Sequence, residues 1–177
     1  MIEIFLPNQL DFTNLMRIVG DKESTTHDES IVVDFQNLRF VRPSGIASLA
    51  AMMDAWLRDG RKIELFNAPG CMPFSYLQRM NFFNLFKVYE EEDFRRHKEE
   101  ARFASMKEIG LGSNTKTIST GLANSICGGN QFQLARADLD NCLYESINNI
   151  IDHSGILWER CGFAVAQSYQ YVKNDRV

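Results

Sequence analysis

Apolar residues in the first half of the chain switch repeatedly between a period of two and a period near 3.6. Ile2-Glu3-Ile4-Phe5-Leu6 alternates like a short strand and stops at Pro7. Phe12, Leu15, Met16 and Val19 then mark one face of a helix. Residues 20 to 30 are polar and read as a loop. Ile31-Val32-Val33-Asp34-Phe35 is a β-branched run between polar residues, the signature of a buried strand. A helix is expected to begin near Ser44, with Ile46, Leu49, Ala50, Met53, Trp56 and Leu57 on one face, and to end at Asp59-Gly60. Ile63 to Phe66 reads as another strand, Phe74 to Phe86 as one amphipathic helix, and Val88-Tyr89 as a last short strand. This alternation predicts a small α/β layer with right-handed crossovers and a sheet of four or five strands, with Trp56 and Phe83 buried.

The pattern then changes. Residues 90 to 100, EEEDFRRHKEE, form a charge run of the kind that is usually a solvated face or a linker, and they mark the expected domain boundary. Residues 95 to 115 read as a linker or a bridging strand, with alternation from Arg102 to Ile109 and a turn at Gly110-Leu111-Gly112. Ile118, Leu122 and Ile126 predict a helix that Cys127-Gly128-Gly129-Asn130 breaks. In the next helix, Leu139, Cys142, Leu143, Ile147, Ile150 and Ile151 fall near one face, and Ser154-Gly155 is the expected stop. Gly162 to Tyr171 alternates like a strand.

Composition narrows the possible functions. The 177 residues are 45% hydrophobic and carry a formal charge of −4, which opposes non-specific nucleic-acid binding. No apolar run reaches the length of a membrane span, and MIEIFLPNQLDF lacks a signal peptide's basic region, so a cytoplasmic location is expected. Cys71, Cys127, Cys142 and Cys161 contain no C-x-x-C pair, so zinc is not expected and free thiols are. Cys142, on the apolar stripe, is expected to be a small buried hydrophobe.

The densest chemistry lies in Glu145-Ser146-Ile147-Asn148-Asn149-Ile150-Ile151-Asp152-His153-Ser154. Glu145 and Asn149 are one helical turn apart, opposite the apolar stripe, with Asn148 and Asp152 nearby. A carboxylate beside amide oxygens suits an oxygen-liganded Mg²⁺ and a group that must lose a proton. The same residues also make an amphipathic helix with a merely solvated polar face.

The stretch resembles the N-box of the GHKL ATPase and histidine-kinase-like superfamily, and most of all its anti-sigma-factor serine kinases, which often carry a histidine where His153 stands. The resemblance implies Glu145 as general base, Asn149 as Mg²⁺ ligand, and Asn148 and His153 as neighbouring cofactor-binding groups for ATP. It runs from about Lys116 to Val177 and stops there, because no Asp-x-Gly-x-Gly motif for adenine recognition occurs in the chain. ATP binding by these 177 residues is therefore expected to be weak or absent, and the chain reads as the front part of a longer regulator.

Residues 1 to 94 resemble a STAS domain, the fold of anti-sigma-factor antagonists. The likeness rests on IVVDF, on Arg42-Pro43-Ser44-Gly45-Ile46 opening a helix, and on Leu77-x-x-Met80-x-Phe82-x-x-Leu85-Phe86-x-Val88. It implies Ser44 as a possible phosphorylation site, where a dianion would meet the positive end of a helix yet disrupt a docked interface. Arg42 and Pro43 replace the acidic and small polar residues common before that site, and Ser44 could equally serve only as the helix cap.

The combined expectation is an α/β chain, with a STAS-like domain over 1–94 and an incomplete α+β GHKL segment over 116–177. It would be a partner-switching signalling regulator with a protein partner, a possible homo-oligomer, and no nucleic-acid or membrane partner. Two alternatives stand beside it. One is a non-catalytic STAS-like binding module with a degenerate C-terminal segment. The other is an unrelated small α/β enzyme using Glu145, Asp152 and His153 as acid and base groups.

Overall fold

A computed structural model describes residues 1–20, 30–88, 91–96, 99, 102–128, 133–153 and 162–168. The chain is mixed α/β and divides into two compact units, Met1–Arg96 and His97–Val177.

The first unit is built on three parallel strands: β1 (Ile2–Phe5), β3 (Ser30–Asp34) and β5 (Lys62–Phe66), in the order β1-β3-β5. Ile4, Val33 and Leu65 share one row across the sheet. Period-two alternation sends Ile4, Ile31 and Val33 inward and leaves Phe5, Glu64 and Phe66 exposed. A separate parallel ladder of two residues each joins β2 (Gln9–Leu10) to β4 (Phe40–Val41). Among the described residues, the main sheet has three strands where four or five were expected. Val88 lies in no strand, and Tyr89 falls outside the described residues.

Helix α1 (Phe12–Gly20) starts at Asp11, whose Oδ1 accepts the Asn14 N–H at 2.9 Å. That bond satisfies one of the helix's free N–H groups and holds the Asp11 carboxyl below its ordinary range. Helix α2 (Pro43–Arg58) buries Ile46, Leu49, Met53 and Trp56 along one face. It stops at Asp59, and Gly60 at φ 79° turns the chain back toward β5.

The expected Phe74–Phe86 helix is broken in two. Helix α3 (Phe74–Arg79) ends at Met80, and α4 (Phe82–Leu85) begins after Asn81, which sits at φ 60°. Asparagine tolerates this left-handed conformation better than most residues. The break turns Phe82 and Phe83 into the core, where both pack against Phe35 with ring centroids 6.4 and 6.2 Å away. Trp56 and Phe83 are buried, as the apolar faces predict.

In the second unit, β6 (Phe103–Ile109) pairs antiparallel with β7 (Gly162–Gln167), with an irregularity between Ala104 and Lys107. Between them come α5 (Thr115–Ile126) and α6 (Gln133–His153). Asn114 caps α5 by accepting the Thr117 N–H at 2.9 Å. Gly112 at φ 86° forms the turn that leads into it. Among the described residues, a core cluster is formed by Ala104, Ile109, Leu122, Ile147 and Ala166, flanked by Ile118, Leu143, Ile151 and Ala164.

Candidate functional site

Helix α6 carries the candidate chemistry, and its orientation decides what that chemistry can reach. Ile147 is its buried residue, with Leu143 and Ile151 partly buried on either side. Residues one turn apart share a face, so Asp140, Leu143, Tyr144, Ile147 and Ile151 form the inward stripe. Cys142 is exposed and Ile150 is 36% exposed, contrary to the expectation that both belong to that stripe. The inward stripe is thus displaced from the apolar one and includes Asp140, which makes a polar contact there.

That contact was not foreseen. Asp140 Oδ1 accepts the Ser119 hydroxyl at 2.6 Å, and its Oδ2 accepts Lys116 Nζ at 2.9 Å and the Thr120 hydroxyl at 3.1 Å. Ser119 is fully buried. These bonds, Ser119 first and Lys116 next, hold the Asp140 carboxyl below its ordinary value of 3.8. The signal in the sequence was a carboxylate in phase with Leu143, Ile147 and Ile151, because an acid on an apolar stripe needs a partner.

Glu145 and Asn149 lie on the outward face of α6 and are exposed, one turn apart. Asn148 is half-buried at the edge of the inward stripe. Asp152 and His153 are exposed in the last turn, where a histidine's charge would suit the negative end of the helix dipole. Ser154, Gly155 and Cys161 lie outside the described residues. At the edge of the outward face, the Ile150 side chain lies 3.2 Å from the point a Cβ on Gly162 would occupy. The structure thus brings Glu145 and Asn149 together as a solvent-facing ridge, with Asn148 at its inner edge and His153 at its end.

A pocket of about 310 Å³ in this unit lies between α5 and β6, lined by Ala104, Lys107, Thr117, Ile118, Leu122 and Ser125 among others. Glu145, Asn148, Asn149 and His153 are not among its lining residues. Among the described residues, no three His, Cys, Asp or Glu side chains converge as a metal site.

The second candidate, Ser44, sits far from this helix in sequence. Pro43 occupies the first position of α2, so Arg42 is the residue at the N-cap, with φ −91° and ψ 153° and no side-chain cap bond. Ser44 is therefore inside the first turn and exposed, and it does not cap the helix. Its neighbour Gly45 is packed against β2: a Cβ there would lie 2.3 Å from the Leu10 carbonyl oxygen. The Arg42 N–H donates to that same oxygen at 2.9 Å. The start of α2 is pinned to β2 by a contact only glycine permits, and Ser44 is presented outward from it.

Comparison with family models, with curated proteins and with solved structures finds no match. No helix among the described residues is long and apolar enough to cross a membrane.

Proposed function

We propose that the chain is a signalling regulator of the partner-switching type, with a STAS-like first unit and a second unit that supplies the N-box side of a GHKL-type Mg-ATP site. The observation that carries this reading is the ridge on α6. Glu145 and Asn149 face outward, while Ile147 on the opposite side of the helix enters the core. Packing does not require a carboxylate and an amide there.

The donor set suits the group. Carboxylate and amide oxygens are the hard ligands that Mg²⁺ takes, and the ridge is open to a ligand larger than the ion alone. Asn149 would hold the metal, which would neutralise charge on the phosphates when bound. Glu145 is placed to accept a proton from an attacking hydroxyl or water, and Asn148 and His153 to support the phosphate side. The adenine-binding Asp-x-Gly-x-Gly motif is absent from these residues, so they supply one wall of such a site. In the first unit, Ser44 is exposed at the positive end of a 16-residue helix, where a phosphate would be stabilised and a docked partner repelled.

A second reading is a non-catalytic binding module whose C-terminal unit only scaffolds. The position of the pocket favours it, because that cavity lies against α5 and β6 and none of the ridge residues line it.

Calorimetric titration separates the two. Residues 1–177 should bind ATP weakly or not at all, and micromolar Mg²⁺-dependent binding by them would place the site elsewhere. In a chain extended through an Asp-x-Gly-x-Gly strand, Glu145→Ala should lower phosphate chemistry by on the order of 100- to 10,000-fold with ATP binding retained. Asn149→Ala should weaken Mg²⁺-dependent binding. An extended chain that binds no ATP leaves the module reading standing.

A further inference from the structure

Position 121, in the middle of α5, is a glycine that neither conformation nor packing requires. It does not take a positive φ, so other residues could adopt its backbone. A Cβ there would meet nothing within 4 Å. Glycine inside a helix weakens it relative to alanine. The missing side chain opens instead onto the cavity of about 310 Å³ against β6, whose apolar wall is Ala104, Ile118 and Leu122.

Strand β6 adds a cation to that wall. Ala104 pairs with Ala166 and Lys107 with Ala164, so β6 carries an extra residue between the two pairs. This bulge puts Ala104 and Lys107 on the same face of the sheet, where an unbroken strand would put them on opposite faces. It is the face on which Ala104, Ile109 and Ala166 pack against Leu122 and Ile147. The Lys107 ammonium donates to Ser105 Oγ at 3.1 Å and stands 3.8 Å from Glu99 Oε2. The second distance is too long for a charge-assisted hydrogen bond, and both side chains are nearly half exposed, so that pair holds weakly. Within the cavity, Ser125 is 3% exposed and its hydroxyl donates to the Gly121 carbonyl at 3.0 Å. The helix carbonyl beside the missing side chain is thereby satisfied, which keeps the interior fit for an apolar chain.

We propose that this cavity binds a small amphiphilic carboxylate, with its apolar chain along Ile118, Gly121 and Leu122 and its carboxylate on Lys107. An apolar wall with one loosely paired cation at its edge complements a ligand that is apolar along its length and anionic at one end. The lined face of α5 runs from Thr117 to Ser125, about 12 Å at the helical rise, which suits a chain of medium length. Glu99 opposes the bound anion and so lowers its affinity. The cavity is a different site from the ridge on α6, so carboxylate binding and ATP binding are independent readouts.

Octanoate is the probe, titrated into the full chain by calorimetry below its micellar concentration, with octylamine as the cationic control. Octanoate should bind at a single site and shift the amide NMR signals of α5 and β6. Lys107→Met keeps the bulk of the stem and removes the charge, and it should weaken octanoate binding by about 10-fold. Glu99→Gln should tighten it. Gly121→Leu should fill the opening and abolish binding. Gly121→Ala, which only adds a methyl group where there is room, should raise the Tm and weaken binding less. Absence of binding at millimolar octanoate overturns the proposal, as does octylamine binding as tightly as octanoate. Affinity unchanged in Lys107→Met or in both glycine variants, or signals that move outside α5 and β6, overturns it equally.

Discussion

Along its 16 residues α2 buries Ile46, Leu49, Met53 and Trp56, whereas α6 runs 21 residues and, among those described, buries Ile147. The contrast extends to the units around them. The largest fully buried side chains, Phe35, Phe82, Ile4, Leu6 and Leu49 among them, belong to the first unit. Among the described residues, the second unit's core cluster is Ala104, Ile109, Leu122, Ile147 and Ala166, and α6 is joined to α5 by the Asp140 network. Among the described residues, the first unit removes the larger apolar side chains from water, and the second adds directed polar bonds to a core of smaller ones. Among the described residues an outward face of α6 is exposed, and Glu145 and Asn149 stand on that face.

Substitution in the two cores should break the symmetry most visibly. Phe35→Ala should destabilise the first unit by about 3–5 kcal/mol, because Phe82 and Phe83 lose a shared partner. Ile147→Ala should cost the second unit about 2 kcal/mol, near the lower end for such truncations, because half-buried Leu143 and Ile151 can close on the gap. Guanidinium unfolding followed by fluorescence for the first unit, and by amide exchange in α6 for the second, reads both. Equal costs would mean that the second core is denser than its residues imply.

Gly45→Ala should cost the first unit about 1–3 kcal/mol, since a methyl group would meet the Leu10 backbone and not a yielding side chain. A variant as stable as wild type would show that α2 can slide from β2 freely.

Acid should act on the polar unit through Asp140. Its folded pKa lies below its ordinary value of 3.8, so its contribution is complete above that value and is lost as pH falls through the folded pKa. Asp140→Asn should lower stability at neutral pH and flatten the loss below about pH 4. A second unit whose acid transition is unchanged by the substitution would remove the network from its account.

The smallest expected effect distinguishes the units without destabilising either. Burial pushes the Cys71 thiol in the first unit up to about 11. Cys142 in the second is exposed. Iodoacetamide at pH 8 should modify Cys142 in the folded chain and spare Cys71, with mass spectrometry of the peptides as readout.

Legibility followed the same division. Period and composition placed β1, β3, α2 and β5 well, because alternation between a covered and an exposed face imposes a strict local pattern on a strand or helix. The break at Asn81 escaped, since the apolar residues on both sides continue a helical period and only the backbone angle of one asparagine interrupts it. The narrow sheet escaped too, because Val88 is β-branched yet has no strand beside it among the described residues. In α6, a stripe drawn from apolar residues alone included Cys142 and omitted Asp140. The true seat depends on Ser119 and Lys116, more than 20 residues earlier, a pairing no local window contains. Glu145, Asn148, Asn149 and His153 were legible as a patterned polar face, but what covers that face lies in no local pattern.

The order of strands also sets an order in time. β1, β3 and β5 all lie within the first 66 residues, so the parallel sheet can close while most of the chain is still being synthesised. The β6 strand has to wait, since Phe103 pairs with Gln167 and Ile109 with Gly162. Long sequence separations of this kind slow folding, and until β7 emerges β6 presents an unpaired edge carrying Ala104, Met106 and Ile109. The second unit is thus the slow and aggregation-exposed half of the molecule during its birth. A chain stalled before residue 162 should carry a finished first unit and an open strand awaiting its partner.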